Sequence, residues 1–135
     1  MRIRGQSEWR GAHLLLLAQS RLPTTTANYV LTGQPFQVMP EWTDQTVTLS
    51  TDATRWTCLG ARWDLLDDYG CADIGEVLAD INVDLIFVLF PVQVVPAQPL
   101  ADPHATRPHL NYELDWDALP SGMVEFDTVR IDYPL

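Results

Sequence analysis

Alternation of apolar and polar residues along the chain predicts short strands separated by turns. Strands are predicted over residues 13–19, 29–32 and 46–50, and the second of them stops at Gly33. In the third segment, TVTLS, two apolar residues face inward and the threonines face outward, which is the pattern of a half-buried strand. The first half of the chain therefore has β character.

A helical period interrupts this alternation in the middle of the chain. Apolar residues recur at i, i+3, i+4 and i+7 as Ile74, Val77, Leu78 and Ile81, and Asp73 stands at the N-cap position. The spacing predicts one short amphipathic helix. Its apolar stripe is expected to cover an open end or edge of the sheets.

The longest apolar run, LIFVLFPVQVV, follows this helix. It is too short to span a bilayer, and Pro91 breaks it. Residues 85–90 are therefore predicted to form a strand that is buried on both faces, since continuous apolar character is typical of such strands.

Two more segments alternate near the carboxyl end. In residues 109–116, one parity is apolar and predicted to be buried, and the other is polar. The apolar set is Leu110, Tyr112, Leu114 and Trp116, and the polar set is Asn111, Glu113, Asp115 and Asp117. In the final segment the apolar parity switches at Asp127 and Thr128, which predicts a bulge or bend.

Many short strands, one helix and proline-rich connections together indicate the fold class. The prediction is a mainly β protein, an antiparallel β-sandwich of jelly-roll type with one short α-helix. With 135 residues, the chain is expected to be one domain over residues 1–135. Trp42 and Trp56, on either side of the 46–50 segment, are expected to wall the core.

Charge restricts the possible partners. The chain has eight arginines, no lysine and eighteen acidic residues, for a formal net charge of −10. A nucleic-acid site needs clustered cations, and an anionic membrane surface would repel this chain, so neither is expected as a partner. The carboxylates either keep the surface hydrated or bind a cation, and the sequence leaves both interpretations open.

The two cysteines, Cys58 and Cys71, bracket a loop and allow a disulfide. Closing a loop of this size would stabilise the fold by roughly 3 kcal/mol. A disulfide indicates an exported protein. Two free thiols are the alternative, since the sequence does not fix their geometry. Metal ligation by this pair lacks a third ligand at a usual spacing.

The loop between the cysteines has the composition of a sugar platform. Trp63 and Tyr69 stand among carboxylates, and an aromatic ring can cover the apolar face of a pyranose while carboxylates bond its hydroxyls. The polar row Asn111, Glu113 and Asp115 would orient the ligand, and these five residues are the predicted ligand-binding set. The alternative for Trp63 is that it only caps the sandwich.

No residue is predicted to be catalytic. The chain has no G-x-S-x-G motif and no organised set of Cys, His and Asp. Glu113 and Asp115 could form a carboxylate pair, but neighbours two apart on a strand are also typical of a hydrated sheet face. The histidines at 13, 104 and 109 match no metal-ligand spacing.

Three segments resemble a known family. They are WTDQTVTLS from Trp42, VLADINVDLIF from Val77 and FDTVRI from Phe126. Over residues 40–132 the chain resembles the second half of the laminin B (domain IV) type jelly roll and related bacterial carbohydrate-binding modules. Thr128 stands where that family favours asparagine, and the family's early strands are missing or shortened.

The resemblance implies a non-catalytic extracellular binding module, secreted or at the cell surface, with a glycan or an extracellular protein as its partner. It also implies that the chain is the C-terminal part of a longer exported protein. A structural calcium ion is expected near Asp127, which holds the aspartate place of the family motif. The alternatives are a structural or protein-interaction module of a larger assembly and a small polysaccharide-active enzyme.

Overall fold

The computed structural model describes residues 1–61, 64–102 and 112–132. Two sheets and one helix make up most of the regular structure in this part of the chain. The strands are β1 (Arg2–Glu8), β2 (His13–Arg21), β3 (Thr26–Val30), β4 (Thr43–Asp44), β5 (Thr57–Cys58), β6 (Tyr69–Gly70), β7 (Asp84–Phe90) and β8 (Ser121–Thr128), and the helix is α1 (Ile74–Ala79).

The strands form a three-stranded sheet in the order β4-β1-β8 and a five-stranded sheet in the order β5-β3-β2-β7, in which β6 also pairs with β3. The β3–β6 pair is parallel and the other pairs are antiparallel. The prediction of a mainly β, antiparallel sandwich with one short helix is confirmed. No helix in the described part of the chain is long and apolar enough to cross a membrane.

Strand pairing is nested along the chain. The first strand pairs with the last, β1 with β8, and the second pairs with the next to last, β2 with β7. Such nesting arises when a long hairpin folds over on itself, as in jelly rolls. Strands β7 and β8 therefore lie on the same flank of the sandwich.

The core lies between the inner faces of the two sheets. Ile3 of β1 is fully buried there, together with alternate residues of β2 and β3. Trp56 is 6% exposed, and its indole nitrogen donates to the Ser50 carbonyl at 2.8 Å, so it is the core wall that the sequence predicts. Trp42 is only half-buried and lies under the Arg4 guanidinium instead.

The helix forms as its sequence predicts. Asp73 caps it by accepting hydrogen bonds from Gly75 and Glu76, and Ile74 and Val77 are buried. Two side chains of the five-stranded sheet hold its ends. The Tyr29 hydroxyl donates to the Ala72 carbonyl, and the Ser20 hydroxyl donates to the Asp80 carbonyl. Ile81, the last residue of the predicted stripe, lies beyond the helix.

Residues 46–50 do not form the predicted strand. The side-chain amide of Gln34 takes the place of a neighbouring strand, because it accepts from the Thr48 nitrogen at 3.0 Å and donates to the Thr48 carbonyl at 2.6 Å. Val47 and Leu49 still pack against the core. The prediction that Val47 and Leu49 face inward is therefore correct, although residues 46–50 form no ladder of backbone hydrogen bonds with a neighbouring strand.

The alternation does not predict strand β1, yet this strand lies at the centre of its sheet. Its inward positions hold Ile3 and Gly5, and a β-carbon on Gly5 would clash with the Met123 carbonyl oxygen. Glycine is required there, since β1 and β8 approach too closely for a side chain. An apolar pattern cannot reveal a strand whose inward positions include glycine.

The predicted bulge in the last strand is confirmed. Arg2 pairs with Thr128 and Ile3 pairs with Phe126, so Asp127 is an extra residue on β8.

Candidate functional site

The flank formed by β7 and β8 is the most distinctive surface of the described structure. We call it the open side. Each of these strands is the last in its sheet, and among the described residues no strand pairs with its outer edge. The prediction that residues 85–90 are buried on both faces is therefore wrong: Ile86 is 43% exposed and Leu89 is 39% exposed.

Aromatic stacking brings the two edges together. The rings of Phe87 and Phe126 stack at a centroid distance of 4.5 Å, and Phe36 meets the other side of the cluster through an edge contact with Phe87 at 5.7 Å. Phe126 remains 38% exposed despite this contact. The sandwich is therefore closed at Phe87, while apolar side chains stay accessible around it.

An apolar recess of about 330 Å³ opens beside this stack. Its walls come from the end of β1, both edge strands and the turn before β8, and none of its lining residues is charged. They include Trp9, Phe87, Leu89, Ser121, Met123 and Phe126. Such a lining favours an uncharged apolar group as the occupant.

In the described part of the chain, β7 has little of the usual protection of an edge strand, whereas β8 carries Glu125, Asp127 and a bulge. Soluble proteins generally cover such edges or place lysine, proline or inward-pointing charges on them. Strand β7 has only Asp84 at its start as a charge, and Pro91 comes after its end. Met123 on β8 is 58% exposed. An unprotected apolar edge is typical of a site that is covered by a partner.

Charge is concentrated at the amino end of β7. Residues 73–84 contain four exposed carboxylates and no basic residue. Asp84 is the first residue of β7, and Asp80 precedes it by four residues. Arg21 brings one arginine to this end, since its backbone bonds the Asn82 side chain. The open side thus joins a recess with an uncharged lining to the acidic amino end of β7.

The outer face of the three-stranded sheet carries compensated charges instead. The Arg4 guanidinium bonds Glu125 at 2.6 Å and lies 4.6 Å from the centre of the Trp42 ring. Arg2 pairs with Asp127 at 3.7 Å. Because these arginines already have carboxylate and aromatic partners, this face offers little to a charged ligand.

The predicted sugar platform is only partly within the described residues. Trp63 and Asn111 lie outside them. Tyr69 is half-buried in β6, and the Cys58–Cys71 disulfide is confirmed, with 6.0 Å between the α-carbons. Strands β5 and β6 pair with β3, at the edge of the five-stranded sheet opposite β7. Tyr69 and the disulfide are therefore remote from the open side.

Residues 112–118 do not form the strand that alternation predicts. The described part contains an isolated bridge between Pro96 and Leu114, followed by a 3-10 turn over Trp116–Ala118. Glu113 and Asp115 are exposed, and the Asp115 carboxylate accepts from the Asp117 nitrogen at 3.2 Å as the cap of that turn.

The exposure of Trp116 is the main difference from the prediction in this segment. The alternation predicts that this residue is buried, but it is 61% exposed, whereas Leu114 on the same predicted parity is buried. The capping bond of Asp115 starts a turn that takes Trp116 out of the alternation. An exposed tryptophan therefore stands between Asp115 and Asp117.

The described residues provide no set of ligands for the calcium ion expected near Asp127. Asp127 pairs with Arg2, which supplies the positive charge that a cation would supply. Among residues 1–61, 64–102 and 112–132, no group of three or more His, Cys, Asp or Glu side chains could hold a metal ion. His13 is exposed, and the other two histidines lie outside the described residues.

One carboxyl group has a shifted pKa. The Thr54 hydroxyl, at 2.6 Å, and then the Thr54 backbone nitrogen donate to Asp52 and lower its pKa, with a smaller contribution from Arg55. Asp52 caps the 3-10 turn at Ala53–Arg55 and does not line the recess. The shift therefore reflects a local cap and gives no indication of catalysis.

Sequence reasoning missed the open side because it depends on strand order. Trp9, Leu89 and Met123 are far apart in the chain and meet only through the pairing of β1 with β8 and of β2 with β7. The one local signal was the absence of charge between Asp84 and Pro91. No protein-family model, curated protein or solved structure matches the chain.

Proposed function

We propose that this protein is a non-catalytic interaction module that binds a segment of another protein at its open side. The observation that carries the proposal is that two edge strands lie on one flank, each without a strand at its outer edge in the described part of the chain, with an uncharged recess between them. Strand addition at such an edge uses main-chain hydrogen bonds for affinity and side-chain pockets for specificity.

The disulfide and the acidic surface support an extracellular setting for this module. A disulfide such as Cys58–Cys71 persists in oxidising compartments. A membrane or nucleic-acid partner is disfavoured by the net charge of −10.

Selection from a displayed library of random peptides tests the proposal without assuming a sequence. The wild-type chain is the bait, and Leu89→Lys is the comparison, because it places a charge in the recess at a position that is already 39% exposed. Leu66→Lys, at a 68% exposed loop position, introduces the same charge elsewhere. Met123→Lys provides a second change on the open side.

The proposal predicts selected peptides that bind wild type and Leu66→Lys alike and bind Leu89→Lys and Met123→Lys weakly. Thermal unfolding of all variants establishes that they are folded. If selected peptides bind all four proteins equally, or if no peptide is enriched, the open side is not the binding surface.

Glycan binding is a second candidate, favoured by the position of Trp116. Trp116 is 61% exposed and stands between two aspartates in the sequence, and an exposed indole beside carboxylates suits contact with a sugar. The experiment is retention on a panel of polysaccharides. Trp116→Ala is expected to weaken retention and Leu66→Ala to leave it unchanged, and a wild-type protein that binds no glycan in the panel contradicts this candidate.

A further inference from the structure

We propose that the partner segment is an extended strand with alternating apolar side chains and basic residues at its carboxyl end, which pairs antiparallel with β7. This inference rests on the proposed function and names the chemistry of the segment that the open side receives.

The geometry of β7 defines what an added strand would meet. Leu85, Phe87 and Leu89 face inward, since they lie opposite core residues of β2. In an added strand every second side chain would continue this inward face, because residues paired across a ladder share a side. Those side chains would lie towards the exposed edge of β8 and the recess beside Phe126. Apolar residues at alternate positions therefore fit this place.

The length of β7 defines the length of the segment. The strand has seven residues and pairs with β2 over its whole length without a register shift. A regular edge of this length can accept a strand of about seven residues, at about 3.4 Å per residue.

For an antiparallel segment, the charge distribution defines which end carries charge and the sign of that charge. The carboxyl end of an antiparallel strand lies beside the amino end of β7, where Asp84 and Asp80 are exposed. Among the described contacts, Asp84 makes no ion pair. The other end of β7, at Phe90 and Pro91, carries no charge. Arginine or lysine at the carboxyl end of the segment would therefore meet the carboxylate of Asp84, with that of Asp80, which accepts from the Asn82 side chain, nearby.

A second copy of this chain fits the site less well. Two copies each carry a net charge of −10, so their approach is opposed by repulsion. A basic segment is attracted by the same field. Charge complementarity therefore favours a different protein over self-association as the occupant.

Defined synthetic peptides test this chemistry. The probe is an acetylated, fluorescein-labelled peptide with valine at alternate positions of a seven-residue threonine background, followed by two arginines. The matched peptide has two glutamates in place of the arginines. Fluorescence anisotropy measures the Kd of each for the wild-type chain at low and at physiological ionic strength.

The arginine peptide is expected to bind about tenfold or more tightly than the glutamate peptide at low ionic strength. Asp84→Asn should weaken its binding about threefold, as removal of one exposed charge partner does. Leu89→Lys should weaken it about tenfold or more, because a charge would then face the apolar side chains, and Met123→Lys should also weaken it, because Met123 lines the recess. Leu66→Lys should have no effect on the Kd.

Several outcomes overturn this inference. If the two peptides bind equally, or if Asp84→Asn leaves the Kd unchanged, the inference that the segment has basic residues at its carboxyl end is wrong. A wild-type dimer that Leu89→Lys converts to a monomer makes the second copy the occupant. If the defined peptides fail but the displayed library yields peptides that depend on Leu89, this inference fails and the proposed function stands; if neither binds, both fail.

Discussion

Phe87 on β7 and Phe126 on β8 stack at 4.5 Å, with 28° between their ring planes, and so join the outermost strands of the two sheets. This contact keeps the late strands together although neither has a further strand at its side in the described structure.

Replacing Phe87 by alanine should therefore loosen the open side. We expect Phe87→Ala to lower the free energy of unfolding by about 2 to 3 kcal/mol, below the usual range for a fully buried phenylalanine because Phe87 is half-buried. Urea denaturation measures this change. Leu66→Ala, at an exposed loop position, is the control and should have little effect, and equal stabilities of both variants would show that the stack is not a structural contact.

Local signals in the sequence predicted the elements whose stabilising contacts are local. The helix follows from the Asp73 cap and an apolar stripe a few residues long, and the bulge follows from the change of parity at Asp127. Where a distant side chain intervenes, the same reasoning fails. Gln34 takes the backbone partners of Thr48, so residues 46–50 run beside the core without a ladder.

The candidate site could be predicted less well than the fold. An apolar run such as residues 85–90 is typical of a central strand, and only the strand order places it at an edge. For Trp116, a capping hydrogen bond of Asp115 competes with the strand that alternation favours. The sequence pattern is compatible with both a strand and a capped turn at Trp116, because it contains no information on which backbone hydrogen bonds form.

The helix provides a direct test of core packing. Val77 is fully buried against the sheets, so Val77→Asp should lower the free energy of unfolding by about 3 kcal/mol by burying an unpaired charge. Ala79→Asp adds the same group at an exposed position of α1 and should cost less than about 1 kcal/mol. Both values come from chemical denaturation. A wild-type melting curve for Val77→Asp would show that the helix does not cover the core.

The disulfide should contribute substantially to stability. It closes a loop with a sequence separation of 13, for which the loop-entropy model gives about 3 kcal/mol. Reduction, or the double replacement Cys58→Ser with Cys71→Ser, should lower the free energy of unfolding by about that amount. Thiol titration of the unfolded, unreduced protein is the control. Two titratable thiols would contradict the bond itself.

Asp52 should make the stability of the folded protein depend on pH. Its pKa is lowered by hydrogen bonds from Thr54, so its charged form stabilises the folded protein above the pKa of the unfolded carboxyl, about 4. This stabilisation is lost as the pH falls through the lower pKa of the folded state. Asp52→Asn should therefore be less stable than wild type at neutral pH and should approach it in acid. Parallel unfolding curves at every pH would contradict the assignment.

Amide hydrogen exchange tests the central claim that the open side is the binding surface. The wild-type chain is compared with and without a peptide taken from the displayed library. Bound peptide should slow exchange in Asp84–Phe90, because these backbone groups gain a strand partner, and should leave exchange in Trp116–Ala118 unchanged. Protection confined to Trp116–Ala118, or no change in Asp84–Phe90, would contradict it.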